Sequence, residues 1–112
     1  MAVAGASISR GQVFLVRLDP TLGSEIKKTR PCVVVSPDEL NEHLRTVIVA
    51  AMTTGGRAYP WRPRCQFQGR AGFVALDQLR TVDVERLVKS LGRLDDPAVG
   101  SVLERLQDMF TE

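Results

Sequence analysis

The chain has 112 residues, which fits one domain and leaves little room for two. Apolar residues make up 44% and charged residues 25%, a balance that excludes wholesale disorder and suits one modest core. The formal net charge is only +2, and no apolar run approaches the roughly 18 residues of a membrane-crossing helix.

The chain opens with small apolar residues, Met1-Ala2-Val3-Ala4-Gly5-Ala6-Ser7, but no basic residue leads them and no long apolar region follows. This argues against a secretory signal. Residues 1–9 are therefore expected to be a flexible tail and 10–112 a single domain, in a cytoplasmic protein. Residues 12–18 (QVFLVRL) form a first strand, stopped by Asp19-Pro20. Residues 30–36 (RPCVVVS) form a second strand. Ser36-Pro37-Asp38-Glu39 has the spacing of a capping box: Ser at the cap, Pro at the first helical position, Glu three residues after the cap. A short helix follows, with Leu40 and Leu44 on one face and the single histidine, His43, on its surface. Residues 46–52 (TVIVAAM), 64–68 (RCQFQ) and 72–76 (GFVAL) supply three more strands, and 88–94 (VKSLGRL) a weaker sixth. Asp96-Pro97 starts a second helix, in which Val99, Val102, Leu103, Leu106 and Phe110 repeat at helical spacing. Gly100 inside it costs about 1 kcal/mol of propensity, which points to close backbone packing. Short β-branched strands with frequent turns predict a mainly β fold, a small barrel with added helices.

Cys32 and Cys65 are 33 positions apart and are expected to be buried thiols. With one histidine in the chain, a zinc site is not expected. Charge is uneven along the chain. Residues 57–70 carry Arg57, Arg62, Arg64 and Arg70 with no acid, and interleave them with Tyr59, Trp61 and Phe67. Guanidinium forks grip phosphate and aromatic rings stack on bases, so this composition suits single-stranded nucleic acid. A solvated loop with a few core aromatics has the same composition.

Seven segments carry a family resemblance. They are Arg10-Gly11-Gln12-Val13-Phe14, Leu18-Asp19-Pro20-Thr21, Gly23-Ser24-Glu25, Thr29-Arg30-Pro31-Cys32-Val33-Val34-Val35-Ser36, Met52-Thr53-Thr54, Tyr59-Pro60-Trp61 and Asp77-Gln78-Leu79-Arg80-Thr81-Val82-Asp83. In this order and spacing they resemble the MazF/PemK (Kid) toxins of bacterial toxin–antitoxin pairs, from Arg10 to the C-terminal helix. The resemblance implies a compact SH3-like, CcdB-like β-barrel with a C-terminal amphipathic helix, acting as a homodimer. It implies a sequence-specific endoribonuclease, an mRNA interferase, that cuts single-stranded RNA and is neutralised by a cognate antitoxin. The implied chemistry needs no cofactor and no metal. The 2′-hydroxyl attacks the adjacent phosphorus and leaves a 2′,3′-cyclic phosphate and a 5′-hydroxyl.

The resemblance places Arg30 first among catalytic candidates, because an always-charged fork suits a phosphorane's oxygens. Thr53 follows, with a hydroxyl for a phosphate oxygen or the 2′-hydroxyl, and Thr54 is its weaker substitute. Glu25 is a candidate to accept the 2′-hydroxyl proton or to orient Arg30, or else an ion-pair partner of Lys27 or Lys28. Ser24, Lys27, Lys28, Arg57 and Arg62 are expected along the RNA groove, with Trp61 stacking on a base or meeting a protein partner. Gln78 and Arg80 are expected to read base edges. Part of the family pairs an Asp with an Arg and a His. Here only Asp77 stands in that trio, with Ala75 and Ser24 in the other two places, so Asp77 is placed in substrate binding. Two readings compete with the nuclease: a gyrase-poisoning toxin of the CcdB type and a non-catalytic RNA-binding barrel. The first is disfavoured because that group uses a C-terminal Trp, and the one Trp here is at position 61.

Overall fold

The computed structural model describes residues 7–112. Six strands occur in the order β1 (Gln12–Arg17), β2 (Thr29–Val34), β3 (Thr46–Thr53), β4 (Arg64–Phe67), β5 (Arg70–Asp83) and β6 (Leu87–Arg93). Helix α1 (Asp38–His43) joins β2 to β3, and α2 (Asp96–Met109) follows β6. All strand pairs are antiparallel, in one sheet ordered β4-β5-β3-β2-β1-β6. The sheet curls until its outer strands approach each other: Gln68, just past β4, donates from Nε2 to the Leu91 carbonyl of β6 at 2.6 Å. This is the mainly β, strongly bent architecture expected from the strand runs.

Both faces of the sheet are buried, which explains apolar runs that do not alternate. Successive side chains on a strand point to opposite faces. Phe14, Val16, Cys32, Val34, Val47, Val49 and Ala51 fill one cluster, joined by Ile8. Val13, Val33, Val35, Ala50 and Met52 fill the other, where Val99, Val102 and Leu106 of α2 cover them. Residues 1–6 of the expected tail lie outside the described residues. Ile8 is buried in the first cluster and Ser9 N–H donates to Gln12 Oε1 at 3.1 Å, so ordered packing already includes Ile8.

Several local expectations are corrected. Ser36 is not a helix cap: the cap position is Pro37, with no side-chain bond. The Ser36 hydroxyl is buried and donates to Asn41 Oδ1 at 2.6 Å, while accepting Ile48 N–H at 3.0 Å. It ties α1 to β3 instead of closing a box. Asp95 caps α2, accepting Ala98 N–H at 2.8 Å. Gly100 faces open space, so close packing does not account for it. Phe110 lies beyond the apolar stripe and is 75% exposed. β5 is nearly three times the expected length, and its polar second half forms a long ladder with β3.

Candidate active site

The register of β2 against β3 builds the site. Cys32 pairs with Ala51, Val33 with Ala50 and Val34 with Val49. The β2–β3 ladder stops at the Cys32–Ala51 pair, and Arg30 and Thr53 each lie two residues beyond it. Both continue the face that carries Cys32 and Ala51, so both emerge where the core ends and solvent begins. They line one groove of about 400 Å³ together with Ser24, Glu25, Lys27, Thr54 and Arg62. Gly72 of β5 lets the sheet close there, since a Cβ at that position would collide with the Thr53 carbonyl. Thr53 Oγ1 donates to the Gly55 carbonyl at 3.3 Å, and Arg30 Nε donates to the Lys27 carbonyl at 3.2 Å. Among the described residues neither Nη group of Arg30 has a partner, so both remain for a ligand.

The wall opposite β2 comes from a defect in β5. Val49 pairs with Arg80 and Ala51 with Ala75, so the four residues Leu76 to Leu79 face the single Ala50. Such a bulge bends a strand and re-aims its side chains. It turns Asp77 and Gln78 toward the loops. Gln78 Oε1 accepts Ile26 N–H at 2.9 Å and its Nε2 donates to the Ser24 carbonyl at 3.3 Å. Arg80 donates from Nη1 to the Leu18 carbonyl. These two side chains hold the 18–28 loop by its backbone. They line a second hollow of about 410 Å³ with Glu25, Asp77 and Cys32. Burial pushes the Cys32 thiol up to about 12, so it stays protonated and unreactive near neutral pH.

Glu25 pairs with neither lysine. Its Oε1 accepts the Leu22 N–H at 2.6 Å, which fixes the loop tip, and the residue lines the groove. Arg62 lines the groove with part of its guanidinium already engaged. It forks onto Asp77, Nε to Oδ1 at 2.8 Å and Nη2 to Oδ2 at 2.9 Å. The bonded guanidinium holds the Asp77 carboxyl below its usual range, and Arg62 is raised in turn. Trp61 lies outside this groove, 42% exposed, with its ring stacked on Tyr59 at 5.1 Å and 3°. Arg57 sits over the Tyr59 ring at 5.6 Å and bonds its hydroxyl at 3.1 Å. Tyr59 belongs to the arginine–aromatic stretch of 57–70, and Tyr-Pro-Trp-Arg is a turn signal with Pro at its second position. Lys28, in the left-handed region at φ 70°, is exposed and does not line this groove; its carbonyl accepts Leu18 N–H at 3.0 Å. His43 stays on α1, with Nδ1 2.8 Å from the Glu39 carbonyl. No three potential metal ligands gather among the described residues.

A family model for the PemK-like, MazF-like toxin of type II toxin-antitoxin systems matches residues 9–110. The chain belongs to this toxin family. Endoribonuclease PemK of Escherichia coli is 35% identical to this PemK/MazF family member, over 95% of this chain and 84% of the relative. Endoribonuclease EndoA of Bacillus subtilis (strain 168) is 34% identical, over 89% and 91%. The fold also matches the crystal structure of MazF from Deinococcus radiodurans, with a TM-score of 0.81 at 21% identity, covering 93% of this chain and 96% of that one. An endoribonuclease in complex with its cognate antitoxin from Mycobacterial species matches with a TM-score of 0.76 at 22% identity, over 90% and 92%.

Proposed function

We propose that this family member is an endoribonuclease toxin that cuts single-stranded RNA by 2′-hydroxyl attack, without a metal, and that an antitoxin restrains it. The observation that carries this reading is that Arg30, Thr53 and Glu25 line one groove beside the ends of β2 and β3. The relatives named endoribonucleases make RNA the substrate to consider first.

In the reaction, the 2′-oxygen forms a bond to phosphorus while the bond from phosphorus to the 5′-oxygen breaks. The 2′-hydroxyl proton passes to the Glu25 carboxylate, the departing 5′-oxygen takes a proton from water, and the hydroxide so formed takes the proton back from Glu25. Arg30 directs its Nη groups at the two non-bridging oxygens, whose negative charge grows in the phosphorane. Thr53 turns its hydroxyl from the Gly55 carbonyl to the phosphate or the 2′-hydroxyl and fixes the in-line geometry. Lys27 and Arg62 hold flanking phosphates. The products are a 2′,3′-cyclic phosphate and a 5′-hydroxyl. A homodimer in the cytoplasm is the expected working form.

Cleavage of a long synthetic RNA in EDTA, with the ends mapped, tests the reading. Discrete cuts bearing 5′-hydroxyl ends support it. Cutting that stops in EDTA and returns with a divalent ion overturns the metal-free route. No cutting, together with gyrase inhibition, makes the chain a non-enzymatic toxin.

A further inference from the structure

The Arg62–Asp77 pair is built from both sides. Residues 59–62 form a turn in which Arg62 N–H donates to the Tyr59 carbonyl at 2.9 Å. The next bond, Leu76 N–H to the Trp61 carbonyl at 2.9 Å, fastens that turn to β5 one residue before Asp77. The β5 bulge then brings the Asp77 carboxylate to the guanidinium. The fork occupies the Nε hydrogen and one hydrogen on Nη2. Three N–H groups remain, and among the described residues none of them has an acceptor. Arg62 lines the groove of Arg30 and Thr53, whereas Asp77 lines the neighbouring hollow and not that groove.

We propose that Arg62 is a second phosphate-gripping arginine of the RNA groove and that Asp77 is its positioning residue, acting through Arg62 and not on the RNA. This rests on the endoribonuclease reading above. A lone arginine on a loop must surrender rotamer freedom when it meets a phosphate. Arg62 has already surrendered it to Asp77, so its remaining donors meet the ligand pre-aimed. The ionised carboxylate accepts hydrogen bonds and donates none, which suits it to anchoring a guanidinium.

The sign of one substitution separates this from charge alone. Asp77→Asn removes a negative charge beside a polyanion site, and by Coulomb's law that tightens RNA. On the proposal it weakens RNA, because Arg62 loses its anchor. A double-mutant cycle reads this: wild type, Arg62→Ala, Asp77→Asn and the double variant, with melting curves to confirm folding. Binding is followed by anisotropy on a single-stranded RNA with 2′-O-methyl groups, which cannot be cut, and kcat and KM on its cleavable counterpart. Arg62→Ala should weaken binding about tenfold and flatten the slope of log affinity against log salt by about 0.7. Asp77→Asn should weaken binding several-fold at unchanged slope, add nothing in the Arg62→Ala background, and leave the shape of the pH profile of kcat intact. Arg62→Lys, which keeps the charge but cannot fork, should behave like Asp77→Asn and serves if that variant does not fold. Tighter binding by Asp77→Asn, additive losses, or a missing limb of its pH profile overturns the proposal while the nuclease reading stands. A wild type that binds this RNA but cuts none defeats the nuclease reading and leaves the binding cycle decisive for the pair. A wild type that binds no RNA defeats both.

Discussion

Arg30 and Asp77 differ in what a single substitution should reveal. Among the described residues the Nη groups of Arg30 have no partner, and its side chain gives one hydrogen bond to the loop, so Arg30→Ala should remove chemistry and leave the fold intact. Losing a charge-stabilising donor at a reacting phosphate costs roughly 2.7 kcal/mol or more, at least a hundredfold in kcat. Near-normal single-turnover rates in a folded Arg30→Ala variant would remove Arg30 from the mechanism. Asp77 contributes to stability with a definite pH sign. Its carboxyl is lowered in the folded state by the bonded Arg62 guanidinium, from an ordinary value of 3.8. The stabilisation is therefore complete above the unfolded value and disappears as pH falls through the lower folded one. For a pair this exposed it amounts to less than about 1 kcal/mol. Wild type should melt slightly above Asp77→Asn at neutral pH, and the difference should close in strong acid. A gap that widens in acid would mean the carboxyl is stabilised as the neutral form. Arg30, Thr53 and Glu25 were legible in the sequence because each sits in a short segment of family pattern. The Arg62–Asp77 pair was not, because fifteen positions separate the partners and the bulge that joins them leaves no local mark.

At the scale of elements, strands were legible wherever both faces are buried. QVFLVR, CVV and TVIVAAM are continuous apolar runs because each face of the sheet carries its own cluster. The second half of β5 escaped notice because its residues 77–81 turn polar groups to the loops and the groove, and a run such as DQLRT has no apolar period to read. The helix start at 36–39 departs from its sequence for the opposite reason: the residue pattern of a capping box is present, but Ser36 is already engaged by Asn41 and Ile48 across the fold. Gly100 provides a test at this scale. It lies on the solvent side of α2, in helical backbone, with open space where a Cβ would stand. Gly100→Ala should stabilise the protein by about 1 kcal/mol, through helix propensity and a less flexible unfolded chain. In a domain of this size that raises Tm by roughly 4 °C, measurable by calorimetry. An unchanged or lower Tm would show that the outer face of α2 is covered in solution by something the isolated chain lacks, such as a second copy.

For the whole molecule, the weak net charge of +2 conceals a polarity that matters for control. Lys27, Arg30 and Arg62 gather at one groove, Arg57 lies on the adjoining loop, and the acidic excess lies after residue 70. A nuclease with a broad RNA target needs a tight restraint, and the same basic groove that takes phosphates can take carboxylates. An acidic segment that folds on binding, laid along this groove, would exclude RNA directly. Three phosphates neutralised there give a salt slope near −2.1, so a fourfold rise in salt should weaken RNA binding by about 20-fold. The acidic segment should weaken in the same direction, because both ligands meet the same charges. A titration with labelled, uncleavable single-stranded RNA decides the matter. Added antitoxin segment should displace the RNA fully, with an apparent Kd for RNA that climbs in proportion to the competitor. A ternary complex at saturation, with RNA still bound, would place the antitoxin elsewhere. Inhibition would then have to act through the shape of the groove and not through its occupation.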